Sequence, residues 1–395
     1  MAHTATRSTT ADRQARTAVF AFFAVQGLTF ASIITRLPGF ADKFALDEIG
    51  ILYLIVLTAA CAAAGSLIAG SVAARVGSAL TLRLSLAGVS VASFVTSLAG
   101  STPLLYILFG AYGLFVGAVD ATMNMQGVAV QDRYGRPLMA GFWGMWSAAA
   151  VLGALYASAT IALNLPLAVA TLIASAVGLL VNAAFGRHLM RSAEQVVAEH
   201  TATTTARVPW GPILLLGFAT TCFWIADAGA TNWSALYLQN GLLSAASVAP
   251  LAYAAYEATL LLTRLTGDRI IRRFGPQAVA RASGLTAVAS LVIVVAVPVP
   301  AVAIIGFAVL GVGLSLIAPL SYTAAAHLDA EGSDVAVSRV NVSNYVGFIF
   351  AAVVMGVVGD AVSLRVAFVI PLLAVPFIVL LAKQFRPQAS LEGSS

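Results

Sequence analysis

The sequence predicts an all-α membrane protein of 12 transmembrane helices in two pseudo-symmetric six-helix bundles, with both termini in the cytoplasm. Three observations predict it. First, 60% of the 395 residues are hydrophobic and only 9% are charged, whereas a soluble domain carries about 25% charged residues. A water-soluble fold has nowhere to put that much apolar surface. Second, the apolar residues fall into regular segments of the length that crosses a bilayer, about 20 residues each. Third, the basic residues concentrate in alternate loops.

Taken in order, the spans fall near 18–40, 49–72, 79–98, 104–126, 138–163, 165–185, 210–238, 247–268, 278–297, 301–326, 337–359 and 364–383. Turn residues separate them: Pro103 after Gly100, Ser101 and Thr102; Pro166 after Asn164; Gln239, Asn240 and Gly241; and Pro298 with Pro300. The first span follows Arg7, Arg13 and Arg16 in the manner of a signal peptide. It is too long for one, lacks a small-residue cleavage site and is followed by many similar segments. Residues 390–395 read as a cloning scar and are set aside. Cys61 and Cys222 both fall in apolar segments, where each is expected to pack as a small apolar side chain.

The charges test the count. With the amino terminus inside, an even number of spans places Arg75, Arg83, Arg133, Arg136, Arg187, Arg191, Arg207, Arg264, Arg269, Arg272, Arg273, Arg281, Arg339, Lys383 and Arg386 on the cytoplasmic side as well. Only Arg36, Lys43 and Arg365 remain outside, and one missed or invented helix would scramble the pattern. The net charge of +5 is thus explained by topology, and no nucleic-acid partner is expected. Residues 187–209 form the one long polar loop, a linker between bundles at 1–186 and 210–389. The bundles repeat weakly: residues 65–77 align without gaps on 263–275. Six-helix repeats are what alternating-access transporters rock against one another.

Three acids fall deep in apolar spans: Asp120, Asp227 and Glu257. A charge at the bilayer centre costs at least about 2.5–3.5 kcal/mol, so such residues usually face a bundle interior or a watery cavity and do work there. Asp120 lies 17 residues after Pro103 and 13 before Arg133, near the middle of its helix. Gly113, Gly117, Asp120 and Asn124 share a face by 4-3-4 spacing, the glycines admitting a close neighbour. A carboxyl so placed can load and release a proton. The alternative is a hydrogen-bonded structural acid.

Helix 7 carries a polar stripe, Thr220, Trp224, Asp227, Thr231 and Ser234, flanked by Asn232 and Trp233. A helix facing only lipid would not carry it, so it is expected to line a cavity. Asp227 is there a substrate contact or second proton site, with a helix-packing bond as the rival. Glu257 divides evenly between the cavity and an inter-helix network. Arg264 and Asp268, four apart, read as a cytoplasmic pair, structural or gating, and Arg36 as a residue that bridges to an acid or snorkels. Asn341, Asn344 and Tyr345 recur at i, i+3 and i+4 and suit hydroxyl ligands. Trp143 and Trp146 either stack on a substrate or pack, and packing is the commoner fate.

Taken together, the residues resemble the Major Facilitator Superfamily over essentially the whole chain. Gly70, Arg75 and Gly77 match its G-x-x-x-D-R-x-G loop, although the acid position is Ala74; Arg272, Arg273 and Gly275 keep the second copy. This implies gating roles for Arg75, Arg272 and Arg273, with the loop's charge lock weakened in the first copy. Within the superfamily, Asp120 to Asn124, Asp227 to Leu238, Gly311 to Pro319 and Thr35 to Pro38 are similar to the fucose-permease-like branch. Two departures stand out. Ile34 occupies the place of an acid found in sugar-transporting relatives, and Phe142-Trp143 stands where relatives tend to have Phe-His.

The expected function is proton-coupled movement of a small solute, sugar-like in character, across the bacterial inner membrane. Asp120 would be the proton site. Asn124, Trp224, Asp227, Asn232, Trp233, Asn341, Asn344, Tyr345 and Trp143 are the candidate substrate contacts. Asp227 and Glu257 are further proton-coupling candidates. The alternative is a proton-driven exporter of amphiphilic compounds, since acids among aromatics also suit lipophilic cations. The Gly-Pro element of many drug antiporters is absent from helix 5, which reads Val151-Leu-Gly153 and so leans toward symport. No HExxH, CxxC, Walker loop or helix-opening GxGxxG occurs, which argues against an enzyme, a metal site and an ATP-driven pump. The expected partners are the substrate, protons and the lipid bilayer, with no cofactor and a monomeric chain.

Overall fold

A computed structural model describes residues 9–134, 138–190, 210–328 and 335–386. Among these residues the fold is helical and holds no strand. By contacts the chain divides into two compact units, Met1–Ala198 with Ala245–Ala254, and Glu199–Ser244 with Ala255–Ser395.

In the first unit the predicted spans become α1 (Thr10–Ile34) with α2 (Leu37–Phe44), α3 (Glu48–Val76), α4 (Ser78–Ser97), α5 (Thr102–Tyr134), α6 (Met139–Ala162) and α7 (Leu167–Phe185). In the second they become α8 (Trp210–Leu236), α9 (Pro250–Phe274, from Ala255 onward), α10 (Pro276–Ala296), α11 (Pro300–Leu314) with α12 (Ile317–His327), α13 (Val335–Ala361), and α14 (Leu364–Ala367), α15 (Val369–Ala374) and α16 (Pro376–Leu380). Among the described residues nine stretches are long and apolar enough to cross a membrane. The eighth predicted span, α9, is not among them because it carries Glu257, Arg264 and a run of arginines at its end. The last two contribute the shorter apolar helices Val346–Ala361 and Leu364–Leu380.

Three spans expected to be continuous are broken, and proline is the cause. A proline lacks the N–H that would reach the carbonyl four residues back, and its ring crowds that carbonyl. Four residues before Pro38 is Ile34, where α1 ends; four before Pro319 is Ser315, the cap of α11; four before Pro371 is Ala367, the end of α14.

Within each unit the same helices pair. The first and fifth spans pack together, α1 on α6 and α8 on α13, as do the third and fourth, α4 on α5 and α10 on α11. The second and fourth pair as α3 on α5 and as α9 on α11, where the Thr259 hydroxyl donates to Ala308 O at 2.6 Å. Small residues set these approaches, because lipid is as apolar as the interior and only close packing rewards one face over another. A Cβ added to Gly117 would stand 1.7 Å from the Ala62 carbonyl oxygen, and one on Gly65 2.0 Å from that of Leu114. In the second unit a Cβ on Gly311 would stand 2.2 Å from Tyr256 O.

The aligned segments 65–77 and 263–275 end alike. Gly77 has φ 89° and Gly275 φ 79°, and each N–H donates to the carbonyl four residues back, Ala73 and Ile271, at 2.8 Å. An L side chain rarely adopts that backbone, which is why glycine ends both copies. Nearby, fully buried Gln126 on α5 donates to Ser78 Oγ and to Met190 O, and accepts from Met190 N–H. A neutral side chain thus ties the start of α4 to the chain that follows α7.

Candidate functional site

Asp120 is residue 19 of the 33 in α5, about 27 Å from one end and 21 Å from the other at 1.5 Å per residue. It is half-buried, and the amide of Gln26 on α1 donates to its Oδ1 at 3.4 Å. Gln26 is itself buried, and its Oε1 has no hydrogen-bond partner among the described residues. The expected polar stripe divides between two neighbouring helices and its own backbone. Gly113 and Gly117 press against Thr58 and Ala62 of α3, Asp120 turns to α1, and the Asn124 amide folds back on Asp120 O at 2.8 Å. Among the described residues the one salt bridge is Asp12 to Arg133, 3.2 Å, between the start of α1 and the end of α5. Asp120 therefore has a neutral amide as partner rather than a base.

Beside this pair, α1 and α6 share an aromatic row. Phe23 meets Trp143 at 5.5 Å, Trp143 meets Trp146 at 5.9 Å, and Trp146 meets Phe30 at 5.8 Å between ring centroids. The row can form because Gly27 lies under the Trp146 carbonyl, where a Cβ would come within 2.2 Å.

In the second unit Asp227 is half-buried on α8 and accepts a 2.5 Å hydrogen bond from the hydroxyl of Tyr256, which is fully buried on α9. Arg264, two turns further along α9, is close enough to act electrostatically on both, and its Nε donates to Ser315 O at 3.3 Å. Glu257 is buried next to Tyr256 and shares its electrostatic environment. Asp227 and Tyr256 so form one polar pair between α8 and α9, with Glu257 next to Tyr256 along the chain.

The polar stripe of α8 differs along its length. Trp224, Asp227 and Thr231 are half-buried at its middle, while Thr220 and Ser234 are fully buried. Asn232 is buried with its amide on Ala228 O, and Trp233 is fully buried with its indole N–H lacking a partner. Trp224 lies against α13, where a Cβ on Gly347 would meet its Cβ at 2.6 Å. Asn344 exchanges two hydrogen bonds with the Tyr322 hydroxyl, 2.8 and 3.1 Å, joining α13 to α12. The side chains of Asp268, Asn341 and Tyr345 lie outside the described residues.

Of the residues assigned to gating, Arg75, Arg272 and Arg273 are exposed, Arg273 over the Phe274 ring at 5.3 Å. Arg36 bridges to no acid among the described residues, and it does not snorkel. It is 7% exposed and donates to the hydroxyl of Thr160 on α6. Cys61 and Cys222 are free thiols, half-buried and buried, and no cluster of three metal-ligating side chains occurs among the described residues.

Sequence reasoning missed Gln26 and the Asp12–Arg133 bridge, and gave Tyr256 no role toward Asp227. Gln26 left a signal, a lone amide amid Phe22, Phe23 and Val25 in an apolar span. Tyr256 left none, because an aromatic residue in a membrane helix is ordinarily packing.

Comparisons with known proteins speak to the fold and the family. A family model described as Major Facilitator Superfamily matches residues 18–331. A protein of Sinorhizobium fredii described as uncharacterized transporter y4wD is 26% identical over 365 residues, covering 92% of this chain and 96% of that one. A mutant of the nucleoside transporter NupG superposes with a TM-score of 0.75 at 12% identity, covering 95% of this chain and 98% of that one. The E. coli Fucose:proton symporter FucP does so with a TM-score of 0.64 at 17% identity, covering 95% and 98%. At those identities the structural likeness speaks for the fold alone.

Proposed function

The chain belongs to the Major Facilitator Superfamily, and from that premise we propose that it couples proton movement to the transport of a small polar solute, with Asp120 as the proton site. Members of the family are transporters, so the protein is a multi-pass membrane transporter and not an enzyme.

The observation that carries the coupling is the neutral partner of Asp120. A carboxylate paired with a base is held ionised, whereas one facing an amide can exist with or without its proton as the surroundings change. An amide suits both states, since its N–H donates to a carboxylate and its oxygen accepts from a carboxylic acid. Gln26 Nε2 does the first, and Gln26 Oε1 has no competing partner that would prevent the second. Asp227, bonded to Tyr256 and under the field of Arg264, is the substrate-side acid in this reading, with Glu257 beside it.

A hydroxyl-rich solute is the substrate class we favour, because structural relatives include a fucose symporter and a nucleoside transporter. Placement in the bacterial inner membrane, alternating access of the two six-helix halves and action as a monomer complete the proposal. The second reading, a proton-driven exporter of amphiphilic compounds, draws on the aromatic row from Phe23 to Phe30.

The test uses sealed vesicles, an external pH dye and inward gradients of sugars, nucleosides or lipophilic cations. External alkalinisation on adding a polar solute, lost in Asp120→Asn, is the expected result. External acidification on adding a cation would replace symport with antiport. The same signal in Asp120→Asn as in wild type would remove Asp120 from the mechanism.

A further inference from the structure

Arg36 stands where α1 breaks into α2, inside the first unit. Its side chain is more than nine-tenths buried, and among the described residues Thr160 Oγ1 is the one hydrogen-bond acceptor it has. A guanidinium offers five N–H donors and stays charged in any protein environment. Among the described residues no carboxylate lies within ion-pairing distance of it. The carbonyls that end α1 offset only part of a unit charge. Buried charges in proteins are ordinarily paired, because a charge removed from water and left unmatched is costly.

Arg36 is among the residues lining a small cavity, with room for about one water, between α1, α4, α6 and α7. Its polar lining is Thr29, Ser32, Arg36, Ser93, Tyr156 and Thr171, so one cation and five hydroxyls surround it and no acid does. The hydroxyls now donate elsewhere: Ser32 to Leu28 O and Tyr156 to Ala170 O, each at 2.6 Å. A hydroxyl rotates to suit its surroundings, so each can turn its proton toward an anion. The cavity lies one turn along α1 from Gln26, since its lining Thr29 donates to Gln26 O at 3.1 Å, and Asp120 is not among its lining residues.

We propose that this cavity is a halide site, in which a single chloride is held by Arg36 and ringed by the hydroxyls of Ser32, Ser93, Tyr156 and Thr171. Chloride supplies the missing negative charge and accepts several N–H and O–H donors at once; being somewhat larger than a water, it enters as the lining hydroxyls turn and give slightly. A larger oxyanion would not enter. Bound there, it ties the α1–α2 break to α6 and α7, so the folded state gains stability in proportion to its occupancy.

The purified protein would be held at constant ionic strength while sodium gluconate is exchanged for sodium chloride or bromide. Unfolding would be followed with a thiol-reactive dye, for which buried Cys222 is a reporter. The expected result is a melting temperature that rises with either halide and saturates, and that is independent of halide in Arg36→Gln. Should Arg36→Gln fail to fold, Ser32→Val and Tyr156→Phe are expected to raise the halide concentration at half-effect several-fold. Equilibrium binding of radiolabelled chloride to the wild type, displaced by bromide and not by gluconate, gives a direct reading. A melting temperature indifferent to halide would show that water alone fills the cavity and overturn the proposal. A halide response that persists in Arg36→Gln, or is unmoved in both other variants, would place the ion elsewhere and overturn it equally.

Discussion

Alanine at Gly117 adds one methyl group where α5 crosses α3. Its Cβ would stand 1.7 Å from the Ala62 carbonyl oxygen and 2.5 Å from the carbonyl carbon, both backbone atoms that cannot rotate aside. Ordinary contact begins near 3.4 Å, so the helices must separate locally by about 1.7 Å, the difference between 3.4 and 1.7. The separation is resisted on both sides, because Gly113 meets Thr58 O and Gly65 meets Leu114 O along the same crossing. Overpacking of this kind costs about 1–3 kcal/mol, and the rigidity of the obstacle places Gly117→Ala at the upper end. Gly70→Ala on the same α3 helix is the control. A Cβ there meets nothing within 4 Å, and alanine favours helix over glycine by about 0.5–1 kcal/mol. The melting temperature in detergent, read with a thiol-reactive dye, should therefore fall for Gly117→Ala and hold or rise for Gly70→Ala. Equal melting of the two variants would refute the argument that close backbone approach sets this crossing.

Two further outcomes follow from the polar pairs. Gln26→Leu leaves Asp120 without its described donor; a net hydrogen-bond contribution of about 1 kcal/mol predicts roughly fivefold slower proton-coupled uptake, measured with the pH dye, and an unchanged rate would assign Gln26 to packing. Tyr256→Phe removes the hydroxyl from Asp227. Hydrogen bonds to charged groups contribute about 1.5–3 kcal/mol, so substrate affinity should fall by roughly tenfold or more if Asp227 binds substrate, whereas loss of melting temperature with unchanged affinity would mark the bond as structural.

Much of the fold was legible in the sequence because the bilayer writes it there. Spanning length and the gap-free alignment of 65–77 on 263–275 are one-dimensional signals, and the structure carries them as paired helices and matching glycine turns. The helix breaks were legible too, had proline been read four residues back at Pro38, Pro319 and Pro371. The three intramembrane acids stood out because charge is rare in such spans.

What the tertiary structure decided is which polar group meets which. Spacing along a helix gives the angle at which Asp120 projects, but not that the neighbour at that angle is Gln26, 94 residues away. Nor does it give Tyr256 to Asp227, or Thr160 to Arg36, 124 residues away. In a soluble protein an amphipathic stripe would mark the buried face of each helix. In lipid the outer face is as apolar as the inner one, so hydrophobicity says nothing about azimuth, and only glycines and the few polar side chains carry that information. The sequence determined that this is a membrane-spanning helical chain and roughly where its apolar segments lie. Their rotation about their own axes, and hence the partners of Asp120, Asp227 and Arg36, was settled by close packing among helices whose outer and inner faces are equally apolar.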